Sequence, residues 1–281
     1  MIPLSARPFR FTIALVCGWS LLSLLVVEPC LSQSPQPSGL IGEGNPWQTP
    51  FYIIDSGVEG PTVIVTGGVH GNEPAGAQAA EQIRHWPIKR GKLIVIPRVN
   101  TIGLKKGTRY IPGAAAELKD LNRNFPYPNI SDKPRGEIAP ALWEFVVAQD
   151  PDWLFDLHEG YEFNISHRPK NGKSKSVGSS IIYDRKQDVG PMVERMLAAA
   201  NSTVNTADRN FVLLSRGPIK TSLASATIKV LNKRAMILET TYKRQPLLLR
   251  TRQHRAMMSV ALRHLGVIDR KSDDSRERVG G

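Results

Sequence analysis

A chain of 281 residues with 41% apolar and 22% charged side chains has the means to bury one substantial core, which excludes an intrinsically disordered protein. Its formal charge of +12 comes from cations spread along the chain, and no DNA- or RNA-binding motif accompanies it. A nucleic-acid partner is therefore not expected, whereas a small or polymeric anion is.

The first residues depart from this average. Arg7 and Arg10 precede an apolar run from Phe11 to Val27, followed by Glu28, Pro29, Cys30, Leu31 and Ser32. This order predicts a cleavable secretory signal over residues 1–32 and an exported protein, periplasmic or extracellular, with no membrane span after cleavage. An uncleaved signal acting as an anchor is the less favoured alternative, and a lipid-modified Cys30 is disfavoured by Glu28 and Pro29. Cys17 and Cys30 are the only cysteines, so the mature chain would hold any metal through His and carboxylate. It would also retain a charge of +11.

Residues 33–50, rich in Ser, Pro, Gly and Gln, read as a linker. The folded domain is expected over 51–268 and a charged tail over 269–281. Within the domain, strand patterns at Phe51–Asp55, Thr62–Thr66, Leu93–Pro97, Trp153–Leu157, Ser180–Tyr183 and Ala235–Glu239 alternate with helical ones. The helical patterns fall at Pro74–His85, Ile138–Gln149, Pro191–Val204, Thr221–Val230 and Pro246–Leu265. The alternation predicts a single three-layer α/β domain with a mixed, mainly parallel sheet flanked by helices. Two segments, Val99–Asn129 and Asn164–Val177, lack regular patterning, and long loops of this kind tend to be functional.

Three strand ends carry chemistry. The strand ending at Thr66 runs through glycines into His70-Gly71-Asn72-Glu73-Pro74, with His and Glu three apart at the carboxyl edge, where open α/β sheets collect ligands. The strand from Trp153 ends in Asp156-Leu157-His158. Two histidines and a glutamate form a zinc-type ligand set, His70, Glu73 and His158, expected to hold one ion per chain; manganese, cobalt or iron would suit the same donors. Asp156, on the same strand face as His158, could steady its imidazole. The third strand ends in Glu239, either a general base or the partner of a cation such as Lys229 or Lys243. His85, His167, His254 and His264 have no comparable setting. In the long polar loop, Arg109 and Arg123, with Asn122 and Asn124 close by in sequence, bring arginines suited to carboxylate recognition.

The ordered set His70-x-x-Glu73, Thr108-Arg109-Tyr110-Ile111, Asp120-Leu121-Asn122-Arg123, Asp156-Leu157-His158 and Ile237-Leu238-Glu239 resembles the succinylglutamate desuccinylase/aspartoacylase family, related to the zinc carboxypeptidases. The resemblance implies a carboxypeptidase-like fold and a zinc-dependent hydrolase cleaving an amide bond next to a carboxylate. It would be a deacylase of N-acyl amino acids or a carboxypeptidase trimming peptides, including cell-wall peptides. His70, Glu73 and His158 would bind zinc, Glu239 would act as general base, and Arg109 would stabilise the oxyanion. Asn122 and Arg123 would hold a substrate carboxylate, and Lys229, ten residues before Glu239, would hold a second one. Only 42 residues follow Glu239 where aspartoacylase-type members carry a further domain, so a more open site is expected. The alternatives are an esterase built on the same site and a non-catalytic metal or cell-wall binding protein.

Overall fold

In the computed structural model, residues 36–165 and 176–269 are described and belong to one compact unit. Eight strands form one sheet: β1 (Gly39–Ile41), β2 (Thr49–Asp55), β3 (Thr62–Gly67), β4 (Lys92–Ile96), β5 (Trp153–Gly160), β6 (Ser180–Tyr183), β7 (Val212–Leu214) and β8 (Arg234–Thr241). Their spatial order is β1-β2-β4-β3-β5-β8-β6-β7. The central four, β4-β3-β5-β8, run parallel, while β2 and β6 join them antiparallel. The sheet is therefore mixed with a parallel centre, as the alternation of patterns predicts.

Every residue of β5 is buried, as are the last five of β3 and the last seven of β8. Central parallel strands are covered on both faces, which is why these segments read as continuous apolar runs. Successive side chains still part to opposite sides. Val63, Val65, Phe155 and Leu157 pack with α1 (Pro74–Ile83), α4 (Gly190–Asn201) and α6 (Leu247–His264). Ile64, Leu154, Ala235 and Ile237 pack with α3 (Ile138–Gln149) and α5 (Leu223–Lys229). The result is the three-layer domain expected.

Several boundaries differ from expectation. The linker assigned to 33–50 is shorter, because β1 pairs with β2 through Gly39↔Phe51, Leu40↔Pro50 and Ile41↔Thr49. Its three residues lie within a Ser/Pro/Gly-rich stretch, too short to show a period. The loop 99–129 contains a short helix, α2 (Thr101–Lys106), capped by Asn100, whose Oδ1 accepts the Gly103 N–H at 2.9 Å. One 3-10 turn follows at Leu121–Arg123, capped by Asp120. The signal over 1–32 and the tail beyond 269 lie outside the described residues, as does His167. Among the described residues no helix is long and apolar enough to cross a membrane.

Candidate active site

β3 and β5 deliver two histidines to one place because both end at the carboxyl edge of the sheet and pair in register, Gly67 beside Leu157. The turn after β3 depends on glycine. Gly68 takes φ +68°, a left-handed conformation, and a Cβ on Gly71 would lie 2.0 Å from the Gly103 carbonyl carbon. His70 and Glu73 are thereby held against α2 and at the start of α1. That helix has Pro74 in its first turn and no side-chain cap of its own. A carboxylate from β5 stands in: Glu159 Oε1 accepts the Ala75 N–H at 2.6 Å, which also suits the positive end of the helix dipole.

Nδ1 of His70 lies 2.8 Å from Glu73 Oε1, and Nδ1 of His158 lies 2.8 Å from Glu73 Oε2. The two Nδ1 atoms are 3.2 Å apart. All three residues are buried, and each offers a donor atom within 4.8 Å of the others. Each imidazole is fixed from behind: His158 Nε2 lies 2.8 Å from Asp156 Oδ2, and His70 Nε2 lies 3.0 Å from Asp120 Oδ1. Asp156 is itself anchored by the Thr66 hydroxyl at 2.7 Å. Carboxylates behind both rings leave each Nδ1 facing the shared centre, the arrangement found around metal-bound histidines. Burial works against charge on Glu73, but the two neighbouring imidazoles outweigh it and hold its pKa well below the usual range. Burial likewise opposes protonation of His158, and Asp156 and Glu73 override it, raising its pKa well above normal. A site that draws positive charge this strongly, built from two imidazoles and a carboxylate, fits a divalent cation of the zinc class.

Glu239 stands opposite His158 in the β5–β8 pair. It is buried within a cleft of about 1020 Å³ that the metal-type residues also line. Lys229 and Lys243, the cations that could have neutralised it, are engaged elsewhere, with Asp184 and Glu162. Burial, opposed in part by His158 and reinforced by Glu73, pushes the Glu239 pKa up to about 8. Arg109 reaches Glu73 Oε1 with Nη1 at 2.9 Å and Asp120 Oδ2 with Nη2 at 3.6 Å. The Asn122 Oδ1 accepts the Leu223 N–H at 3.0 Å, which turns its amide nitrogen toward His158. Arg123 Nη1 donates to the Asn122 carbonyl at 2.6 Å.

Seven of the eight residues singled out from sequence thus line one cleft: His70, Glu73, Arg109, Asn122, Arg123, His158 and Glu239. Lys229 does not. α5 begins at the site, with the Leu223 N–H on Asn122, and Lys229 lies six residues further along it. At 1.5 Å per residue that is about 9 Å down the axis. There Lys229 pairs with Asp184 at 2.8 Å, and Arg216 and Lys220 occupy the cleft wall instead. Sequence reasoning also gave no role to Asp120 behind His70, nor to Glu159. A carboxylate directly after His158 in a strand buried on both faces was the available signal for Glu159.

Residues 59–164 match the family model of the succinylglutamate desuccinylase/aspartoacylase catalytic domain. A 117-residue stretch is 30% identical to N-alpha-acetyl-L-2,4-diaminobutyric acid deacetylase of Halomonas elongata, covering 40% of this chain and 32% of that protein. The product-bound structure of the cell shape determinant Csd4 from Helicobacter pylori superposes with a TM-score of 0.62 at 19% identity, covering 80% of this chain and 58% of that one. Csd4 is described as a D,L-carboxypeptidase and is also known in tripeptide-bound and mDAP-bound forms. A succinylglutamate desuccinylase/aspartoacylase from Rhodobacter sphaeroides gives 0.53 at 23% identity, covering 79% and 60%. The chain therefore spans about a third of the curated relative and somewhat over half of these structures. The family to which the motif order pointed is matched over residues 59–164, and the carboxypeptidase-like α/β fold extends over about four-fifths of the chain.

Proposed function

We propose that the cleft is the centre of a metal-dependent hydrolase that cleaves an amide bond adjacent to a carboxylate, in an exported protein. The observation that carries this reading is the placement of Glu239 in the cleft beside the convergent His70, Glu73 and His158. A metal-binding module needs the three ligands but has no use for a further carboxylate that sits in the same cleft and, among the described residues, makes no ion pair. The similarity to a deacetylase and to a D,L-carboxypeptidase supports amide hydrolysis over the ester alternative.

His70, Glu73 and His158 would hold the ion, with zinc as the first candidate. When bound, it supplies the Lewis acidity that acidifies a water molecule and polarises a carbonyl. Asn122 and Arg123 hold the substrate carboxylate, which sets the neighbouring amide carbon over the cleft floor. Glu239, in its ionised form, takes a proton from the attacking water as its oxygen adds to the amide carbon. It then returns the proton to the amide nitrogen as the C–N bond breaks, releasing a carboxylate and an amine. Arg109, which lines the cleft beside Glu73, would stabilise the negative charge developing on the carbonyl oxygen. The substrate class is an N-acyl amino acid or a peptide carrying a free carboxylate, with wall-derived peptides included.

The test is elemental analysis of the purified protein beside a His158→Ala variant. About one zinc per chain, lost in the variant, is the expected result and would justify screening N-acyl amino acids and wall peptides for amine release. No divalent metal in either protein, even after zinc is supplied, would overturn the reading.

A further inference from the structure

The cleft wall formed by residues 216–220 is a ridge with a second groove behind it. Arg216, Gly217, Pro218 and Lys220 line the cleft on one flank and a groove of about 570 Å³ on the other. The ridge is firmly set. Gly217 takes φ +82° and donates its N–H to the Tyr183 carbonyl at 2.9 Å, Asp184 and Arg216 form a backbone bridge, and the Ser222 N–H reaches the Ile219 carbonyl at 3.2 Å.

The second groove is strongly cationic. Arg185, Lys186, Arg216, Lys220 and Lys229 line it against a single carboxylate, Asp184. That carboxylate is already committed, to Lys229 Nζ at 2.8 Å and to the Lys186 backbone N–H at 3.0 Å. Among the described residues, Arg185, Lys186, Arg216 and Lys220 make no ion pair. Like charges gathered on one wall repel each other, and an anion lying among them relieves that repulsion. Two of these cations, Arg216 and Lys220, face the catalytic cleft as well, so an anionic chain can run from one groove to the other without leaving positive ground. The length scale follows from α5: Lys229 lies about 9 Å along the helix from the end that touches Asn122, the span of about three extended peptide residues.

We propose that this groove is a distal subsite of the same cleft, binding the carboxylates of an acidic peptide segment that extends about three residues from the scissile bond. The cations come from three separate segments of the chain, Arg185 and Lys186 after β6, Arg216 and Lys220 on the ridge, and Lys229 near the end of α5. That distribution suits carboxylates repeated along a chain better than one compact phosphate. The inference rests on the hydrolase reading for its meaning, but peptide binding itself can be measured without turnover.

Calorimetric titration of the metal-loaded full chain with tetraglutamate, tetraglutamine and inorganic tripolyphosphate tests it. The variants are Arg185→Glu/Lys186→Glu and, as a control with the same change of net charge, Lys105→Glu/Lys106→Glu on α2. Tetraglutamate should bind, tetraglutamine should not, and the groove variant should weaken tetraglutamate at least ~10-fold while the control leaves it within about twofold. Equal weakening in both variants would mean general attraction to a basic protein and would overturn the subsite. Binding of tripolyphosphate alone would overturn the assignment to carboxylates. Once a substrate is found, the groove variant should raise KM for versions extended by acidic residues and leave kcat unchanged. If no substrate is ever turned over but tetraglutamate binding depends on Arg185 and Lys186, the hydrolase reading fails and the subsite stands. Turnover with KM unaffected by the groove variant overturns the subsite alone.

Discussion

The contact between Arg250 and Glu159 links the C-terminal helix to the metal-type site, and its removal can be assigned a magnitude. The Glu159 side chain is fully buried and that of Arg250 is 10% exposed. Glu159 does three things at once: it ion-pairs with Arg250 on α6, accepts the Ala75 N–H at the start of α1, and donates its own N–H to Glu73 Oε2 at 3.0 Å. Arg250→Met keeps most of the aliphatic volume and deletes the charge, leaving a carboxylate in the interior with one backbone donor. Breaking one side of a buried pair costs about 3–5 kcal/mol, because the surviving charge is uncompensated. For a domain of this size each kcal/mol corresponds to roughly 2–4 °C, so the melting temperature should fall by about 6–20 °C.

Glu159 has a partial escape, which makes the prediction sharper. Burial already raises its pKa, against the Ala75 N–H and Arg250, which lower it. Without Arg250 the folded-state pKa rises further above the unfolded value, so the folded state holds its proton longer. Stability contributed this way is present at low pH and lost as pH rises, and the deficit should therefore be larger at pH 8 than at pH 5. Glu159→Gln/Arg250→Met removes both charges while an amide oxygen still accepts the Ala75 N–H, and it should recover most of the loss. Urea denaturation of wild type, both single variants and the double variant gives the coupling energy. A deficit under about 1 kcal/mol for Arg250→Met, or additive single variants, would refute the argument. Metal content of the same proteins adds a second readout, since a displaced Glu73 should weaken metal affinity about 10–100-fold.

Glu239→Gln should keep its metal and lose at least ~100-fold in turnover, and retained turnover would remove Glu239 from the proton-transfer role. Arg123→Ala should raise KM for carboxylate-bearing substrates far more than for an uncharged analogue, whereas Lys229→Ala should leave the smallest substrates unaffected; steady-state kinetics on matched substrates decides both. His254 is fully buried, and burial pushes its pKa down to about 3. The unfolded chain titrates near its ordinary value of about 6.5 and so binds more protons between these two values, which means stability should fall as pH drops through that window. His254→Gln should flatten this slope in acid denaturation, and an unchanged slope would point to other groups.

Much of the site was legible because strand ends are readable. An apolar run that stops at His158 or Glu239 fixes both the strand and the edge at which the side chain emerges, and β5 pairing with β8 brings those two residues side by side. The glycines before His70 mark the turn for the same local reason. What could not be read depended on direction through space. Lys229 stands ten residues before Glu239, but α5 leaves the site at Leu223 and carries Lys229 toward Asp184, while Arg216 and Lys220, further away in sequence, face the cleft. Sequence separation along a helix gives the distance travelled and not whether the travel is toward the ligand or away from it. β1 escaped notice because three residues cannot display a period of two, and Asp120 because its contact with His70 spans fifty residues of chain that include α1, β4 and α2. The same reasoning explains why the cationic groove has no motif. Its charges come from the turn after β6, the ridge at 216–220 and the far end of α5, three segments joined only once β6, β7 and β8 have assembled at the edge of the sheet. Side chains that act locally leave a signature in sequence, whereas those that meet across an edge become visible only through the fold.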